Sequence, residues 1–340
     1  MSLLVRQVGV VVNKFIRKNL PVSNSVASGL RDDLIEVASH HSYVETFSQR
    51  ADSWHRALGF TSSSEWAVSF SDIVKGLLPE DLKGPIRLAI DITEEPYYGK
   101  PTIQTVTWTG EKGIRAWWKF AVITLVDSSM KKTVPLACVP FMLGSNLADT
   151  IEKLIDLSLP ILPGIDLVLC DRGFYSGEVI DVFNRRKIPY LILVPKNKLV
   201  RPMADQCRCT SQWAVIPHTM KWKGNKSSHT TETNLIILCD DTYDWSWATN
   251  LDNYHISGLV RKYRTRWRIE TLFRVQDESK IKTKSTRGIV RYVTFLISLL
   301  ITGVWAVSNR TVPFIRWIAD AAKLTWITRL IQTQKLNILE

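Results

Sequence analysis

The alternation of apolar and polar positions changes character near residue 84. Across residues 1–80 the spacing is helical, with breaks near Pro21-Val-Ser-Asn-Ser25 and Thr61-Ser-Ser-Ser64 and no strand-like run. The first twenty residues read as an amphipathic helix, since no small-residue cleavage site follows their apolar stretch. Beyond Gly84 the runs become short and β-branched. Strands are predicted at Ile86–Ile92, Ile103–Trp108, Ile114–Val126 and Thr133–Phe141. A helix over Asn146–Leu157, with Ser145 as its N-cap, precedes a strand over Ile165–Asp171. A second helix, Ser176–Arg186, leads to a strand over Pro189–Val194. That order predicts a mixed α/β sheet with at least one parallel crossover.

Residues 197–250 break the rhythm. They are polar and rich in Trp (213, 222, 245 and 247), with a low-complexity tip at Gly224-Asn-Lys-Ser-Ser-His-Thr-Thr231. Ile216 and the run Leu235-Ile-Ile-Leu238 predict strands flanking the tip, so this is a β-rich insertion. A long helix of about 20 residues follows over 256–278. The uncharged run Tyr292–Val307 and the stretch 312–334 give two more helices. At 16 residues, Tyr292–Val307 is short of the about 20 that a membrane span needs, and it is read as a core helix.

With 340 residues, 45% hydrophobic and 22% charged, the chain supports a full core and is not a disordered protein. Its net charge of +12 favours a polyanionic partner. The charge is uneven. Residues 1–80 balance eight basic against eight acidic side chains, whereas residues 257–291 hold eleven basic and three acidic ones. Five cysteines form an odd set without framework spacing, which points to a reduced, cytoplasmic setting. Cys207-x-Cys209 with His218, His229 and Cys239 lacks the paired spacing of a zinc site.

Three carboxylates stand out. Asp91 interrupts the apolar run Ala89-Ile-Asp-Ile-Thr93, where an ionised group needs a cation or hydrogen bonds. Asp171 ends the next such run, where side chains at strand carboxyl ends line ligand sites, although it equally suits a turn cap. Glu270 is the one acid in Tyr263-Arg-Thr-Arg-Trp-Arg-Ile-Glu-Thr-Leu-Phe-Arg274. Helical spacing places Tyr263, Arg266 or Trp267, and Glu270 on one face, predicted to point toward the body of the protein. A simple ion pair of Glu270 with Arg266 or Arg274 is the plainer alternative. Together the three acids offer hard oxygen ligands suited to Mg²⁺, and two such ions can activate a nucleophile and stabilise a phosphodiester leaving group.

These segments resemble the DDE transposases of prokaryotic insertion sequences, in the group with a Tyr-x₂-Arg-x₃-Glu-x₆-Lys signature. Tyr263, Arg266 and Glu270 fit its first three positions. Asp171-Arg-Gly-Phe-Tyr-Ser176 resembles the segment of the second aspartate, Ala89–Thr93 that of the first, and Trp247-Ala-Thr-Asn-Leu251 the segment before the signature helix. The likeness spans about residues 84–310 and implies an RNase H-like mixed sheet flanked by helices, with the β-rich insertion ahead of the glutamate helix. The implied organisation is an all-helical region at 1–80, available for DNA binding, a core at 84–196, the insertion at 197–250, core completion at 251–310 and a helical tail at 311–340.

The resemblance implies metal-dependent cleavage and transfer of DNA strands at the ends of a mobile element. Asp91, Asp171 and Glu270 would hold Mg²⁺ or Mn²⁺, two ions in all. Tyr263 and Arg266 would contact phosphate, with Arg264, Arg274 and Lys280 as further DNA contacts. Partners would be double-stranded DNA, as terminal inverted repeats and target, and a second copy of the chain, with no membrane. In hairpin-forming relatives an aromatic of the insertion stacks on a flipped base, a role open to Trp213 or Trp222. One position departs: Asp277 occupies the signature lysine, with Lys280 a turn further on. That departure motivates the alternative of an inactive relative that binds DNA without cutting it.

Overall fold

The computed structural model describes residues 2–48, 51–107, 113–198, 200–223, 227–239, 243–252, 255–308 and 312–337. Trp108 and the tip residues 224–226 lie outside them. Five helices open the chain: α1 (Ser2–Asn19), α2 (Asn24–Ser39), α3 (Val44–Phe47), α4 (Ala51–Leu58) and α5 (Ser63–Lys75). Serines start two of them. Ser23 accepts from Val26 N, and Ser62 forms a reciprocal capping box with Glu65. The turns at 21–25 and 61–64 are therefore helix starts as well as breaks.

Strands β1 (Arg87–Tyr97), β2 (Val106–Thr107), β3 (Ala116–Asp127) and β4 (Val134–Phe141) come next, joined by α6 (Leu147–Ser158) to β5 (Leu167–Cys170). Asn146, not Ser145, caps α6, because its Oδ1 reaches the amides of Ala148 and Asp149 while Ser145 Oγ accepts from Met142 N. Helix α7 (Gly177–Arg185), capped by Ser176, crosses to β6 (Tyr190–Leu193). The insertion contributes α8 (Val200–Thr210), which the polar composition of that stretch concealed, and β7 (Trp213–Lys223), β8 (Ser228–Cys239) and β9 (Asp244–Thr249).

All nine strands form one sheet in the order β2-β3-β1-β5-β6-β9-β8-β7, with β4 also on β3. β1, β5 and β6 are parallel; β9 runs antiparallel to β6, so the insertion prolongs the core sheet. The remaining helices are α9 (Ile256–Arg264), α10 (Trp267–Asp277), α11 (Gly288–Ser308) and α12 (Phe314–Asn337).

The predicted continuous helix over 256–278 is two helices. At Thr265 and Arg266 the backbone stays right-handed, but the bonds tighten to i→i+3, as in Arg266 N to Tyr263 O at 2.9 Å. The change in pitch rotates α10 relative to α9.

Each face of the sheet has its own apolar layer. Leu88, Ile90, Val168 and Cys170 join the N-terminal helices, α6, α7 and α11 in the larger one. Ala89, Leu167, Leu169, Leu191 and Trp247 face the other way, onto Leu259, Tyr263 and Ile269 of α9 and α10. The N-terminal helices therefore share the main core. Helix α11 is the one described helix long and apolar enough to cross a membrane, and 83% of its apolar window is buried in the protein. Phe295 stacks on Phe120 with centroids 4.4 Å apart, and Tyr292 Oη donates to Cys138 O at 2.6 Å. All five cysteines are free thiols.

Candidate active site

Strand register brings the two aspartates together. Ile90 pairs with Cys170 in the parallel ladder of β1 and β5, so Asp91 and Asp171 occupy the next step of neighbouring strands. There β5 ends while β1 continues against β3 alone, so Asp171 stands at the carboxyl end of β5 beside the continuing β1. Asp171 Oδ1 accepts from Gly173 N at 2.8 Å and caps the turn that follows. The turn-cap reading and the strand-end position thus hold for the same residue.

Asp91 is the more constrained acid. Its Oδ1 accepts from Ile92 N at 2.9 Å, and its Oδ2 lies 3.6 Å from Arg266 Nη1. Burial lifts its pKa to about 6; the Ile92 amide and Arg266 work against that rise, while Asp171 and Glu270 add to it by repulsion. The strand register sets Asp171 beside Asp91, and Arg266 links Asp91 to Glu270.

Arg266 is the hub. It is 7% exposed, and its Nη2 donates to Glu270 Oε1 at 2.5 Å. The expected ion pair across one helical turn is present, and the same guanidinium serves Asp91. Its Nε is buried without a partner. Glu270 itself sits at the rim, its side chain 53% exposed, rather than pointing into the protein body as expected. The tightening at residues 265–266 is the cause: it turns Arg266 inward and leaves Trp267, 47% exposed, facing out.

Tyr263 departs from its expected place at a phosphate. It is 2% exposed and donates through Oη to Cys170 O at 3.2 Å, packed against Trp245 and Trp247. Its ring fastens α9 to the residue before Asp171. Arg264 and Arg274 are exposed. Lys280 points inward, 3.1 Å from Glu95 Oε1 and 3.6 Å from Asp277 Oδ1. Sequence spacing missed Glu95, although strand alternation puts it on the face of Asp91. Also missed was Arg268, which ties α10 to β3 by donating to Val126 O at 2.5 Å.

Of the insertion tryptophans, Trp222 is committed to packing. It lies over Gly177 and stacks on His229 at 4.4 Å, whereas Trp213 is 48% exposed. No group of three or more His, Cys, Asp or Glu side chains is arranged to hold a metal ion among the described residues.

The site therefore combines a mixed sheet flanked by helices, two aspartates at adjacent strand positions and a glutamate on the covering helix. Residues 141–304, just under half of the chain, match the transposase DDE domain family model. Among solved structures, a piggyBac transposase synaptic complex with hairpin DNA superposes with a TM-score of 0.53 at 13% identity, over 94% of this chain and 70% of that one. Comparison with curated proteins gave no match.

Proposed function

We propose that the chain is a transposase that cleaves and rejoins DNA strands at the ends of a mobile element, with Asp91, Asp171 and Glu270 as its catalytic carboxylates. The carrying observation is the register that sets Asp91 beside Asp171, with Glu270 joined to Asp91 through Arg266. The donor set fits a hard divalent ion: every candidate ligand is a carboxylate oxygen, and Arg266 supplies the positive charge these acids need in this conformation. Asp91, Asp171 and Glu270 would hold two Mg²⁺ or Mn²⁺ ions. Bound there, such ions activate the attacking oxygen and stabilise the leaving one.

The residues divide the remaining work. Arg266 keeps the acids charged and close, and Tyr263 holds α9 to the strand that carries Asp171. Arg264 and Arg274 are the exposed cations suited to flanking phosphates. Trp213 is the insertion tryptophan still open to a base. Double-stranded DNA ends are the substrate, and a dimer would bring two ends together.

The test is Mg²⁺-dependent nicking of a duplex carrying one terminal inverted repeat of the element. Asp91→Asn, Asp171→Asn and Glu270→Gln should each lower it by about a thousandfold or more, equivalent to about 4 kcal/mol of transition-state stabilisation. Nicking retained in any two of the three variants would overturn the assignment.

A further inference from the structure

Strand β1 grips α10 at both ends, and only one of the two grips uses a proposed metal ligand. The β1–β3 ladder runs without a slip from Leu88 to Tyr97, so Asp91, Thr93 and Glu95 share one face. Asp91 meets Arg266 immediately before α10. Glu95 Oε1 meets Lys280 Nζ at 3.1 Å, just after α10, with side chains only 12% and 20% exposed. Asp277 Oδ1 lies on the other side of the same ammonium, at 3.6 Å. The two strand residues are about 13 Å apart and the eleven-residue α10 is about 16 Å long, so the two contacts fall toward opposite ends of the helix. Glu270 lies between them.

We infer that Glu95 is a positioning residue: acting through Lys280, it fixes how α10 lies on β1, and hence where the Glu270 carboxylate stands relative to Asp91 and Asp171. This rests on the reading of Glu270 as a catalytic carboxylate. It gives Asp277 and Lys280 a joint role. The lysine one turn beyond the signature position is turned into the protein by Glu95, with the exposed Asp277 beside it, and its charge serves the helix rather than DNA.

A double-mutant cycle of Glu95→Gln and Lys280→Gln, with Lys280→Arg as the conservative control, tests this on the full chain. The first readout is amide hydrogen exchange across 267–277, in chelator and without DNA. Each single variant should lose about tenfold protection, the double variant no more than either, and the arginine variant little. On the terminal-repeat duplex, kcat for nicking should fall in parallel while KM and the salt dependence of binding stay unchanged. Additive losses of protection would overturn the inference. So would a Lys280→Gln variant whose log–log salt slope drops by about one while Glu95→Gln is silent, since that marks a phosphate contact. If the wild-type chain fails to nick, the cleavage reading falls, and the exchange cycle still decides whether Glu95 holds α10.

Discussion

Arg266 Nη1 stands 3.6 Å from Asp91 Oδ2, joining the middle of β1 to the turn between α9 and α10. The guanidinium is nearly enclosed, so its removal leaves the largely buried side chain of Asp91, 19% exposed, without a cation. Arg266→Met should destabilise the metal-free protein by about 3 kcal/mol, because breaking a buried pair strands its partner. Adding Asp91→Asn should recover most of that loss, since no charge is then left uncompensated. Urea denaturation of the two single variants and the double variant measures the coupling.

The raised pKa of Asp91 gives the metal-free protein a signed pH dependence. Below about pH 4 the carboxyl is protonated in both the folded and unfolded chain and contributes nothing. Between there and its folded value of about 6, the unfolded chain ionises while the folded one keeps its proton, so stability falls as pH rises. Above that window the full penalty remains, about 3 kcal/mol for a shift of about two units. The stability difference between Asp91→Asn and wild type should therefore grow in favour of the variant from pH 4 to pH 6 and then level off. Denaturation in chelator at several pH values checks it, and a flat difference would remove the buried-carboxyl account.

Tyr263 offers a test that separates positioning from DNA contact. Tyr263→Phe keeps the ring among Trp245 and Trp247 but leaves Cys170 O without its donor. The expected cost is about 1 kcal/mol of stability, with the salt slope of DNA binding unchanged. A slope reduced by about one would instead show the hydroxyl reaching phosphate.

Much of this site was legible in the chain. An aspartate inside one apolar strand, another closing a second apolar run and a glutamate at helical spacing from Tyr263 and Arg266 are local patterns, and local patterns survive folding. The orientation of Glu270 was not legible. Helical spacing assumes one uniform helix, whereas tightening at Thr265 and Arg266 changes which face carries which residue. The roles of Glu95 and Arg268 were also hidden, because each partner is distant in sequence: Lys280 for one and Val126 for the other. Helix α8 was missed because the stretch is polar overall, and it is held by packing of Ala204 and Cys207 against Ile237 and Cys239. The Trp-rich insertion announced strands, but only pairing of β9 with β6 reveals that they extend the core sheet.

That extension makes the seat of the insertion testable at one glycine. Gly177 opens α7, and a Cβ built there would lie 2.5 Å from Trp222 Cδ1 and 3.1 Å from its Cβ. The conflict involves the root of the tryptophan as well as its ring, so a rotamer change alone does not relieve it. Asn184 near the end of α7 donates to Thr231 Oγ1 and Glu232 O, which ties the same helix to β8 and limits how far the hairpin can retreat. Gly177→Ala should therefore cost about 1–3 kcal/mol despite the better helix propensity of alanine. Trp222→Ala in the same background removes the ring atoms and leaves only the 3.1 Å approach to the Cβ, so most of the clash should go and the two substitutions should be strongly non-additive. Thermal unfolding of the four proteins in the cycle measures this. Additive effects would mean that Trp222 does not rest on α7, and Trp222 would again be open to a base alongside Trp213.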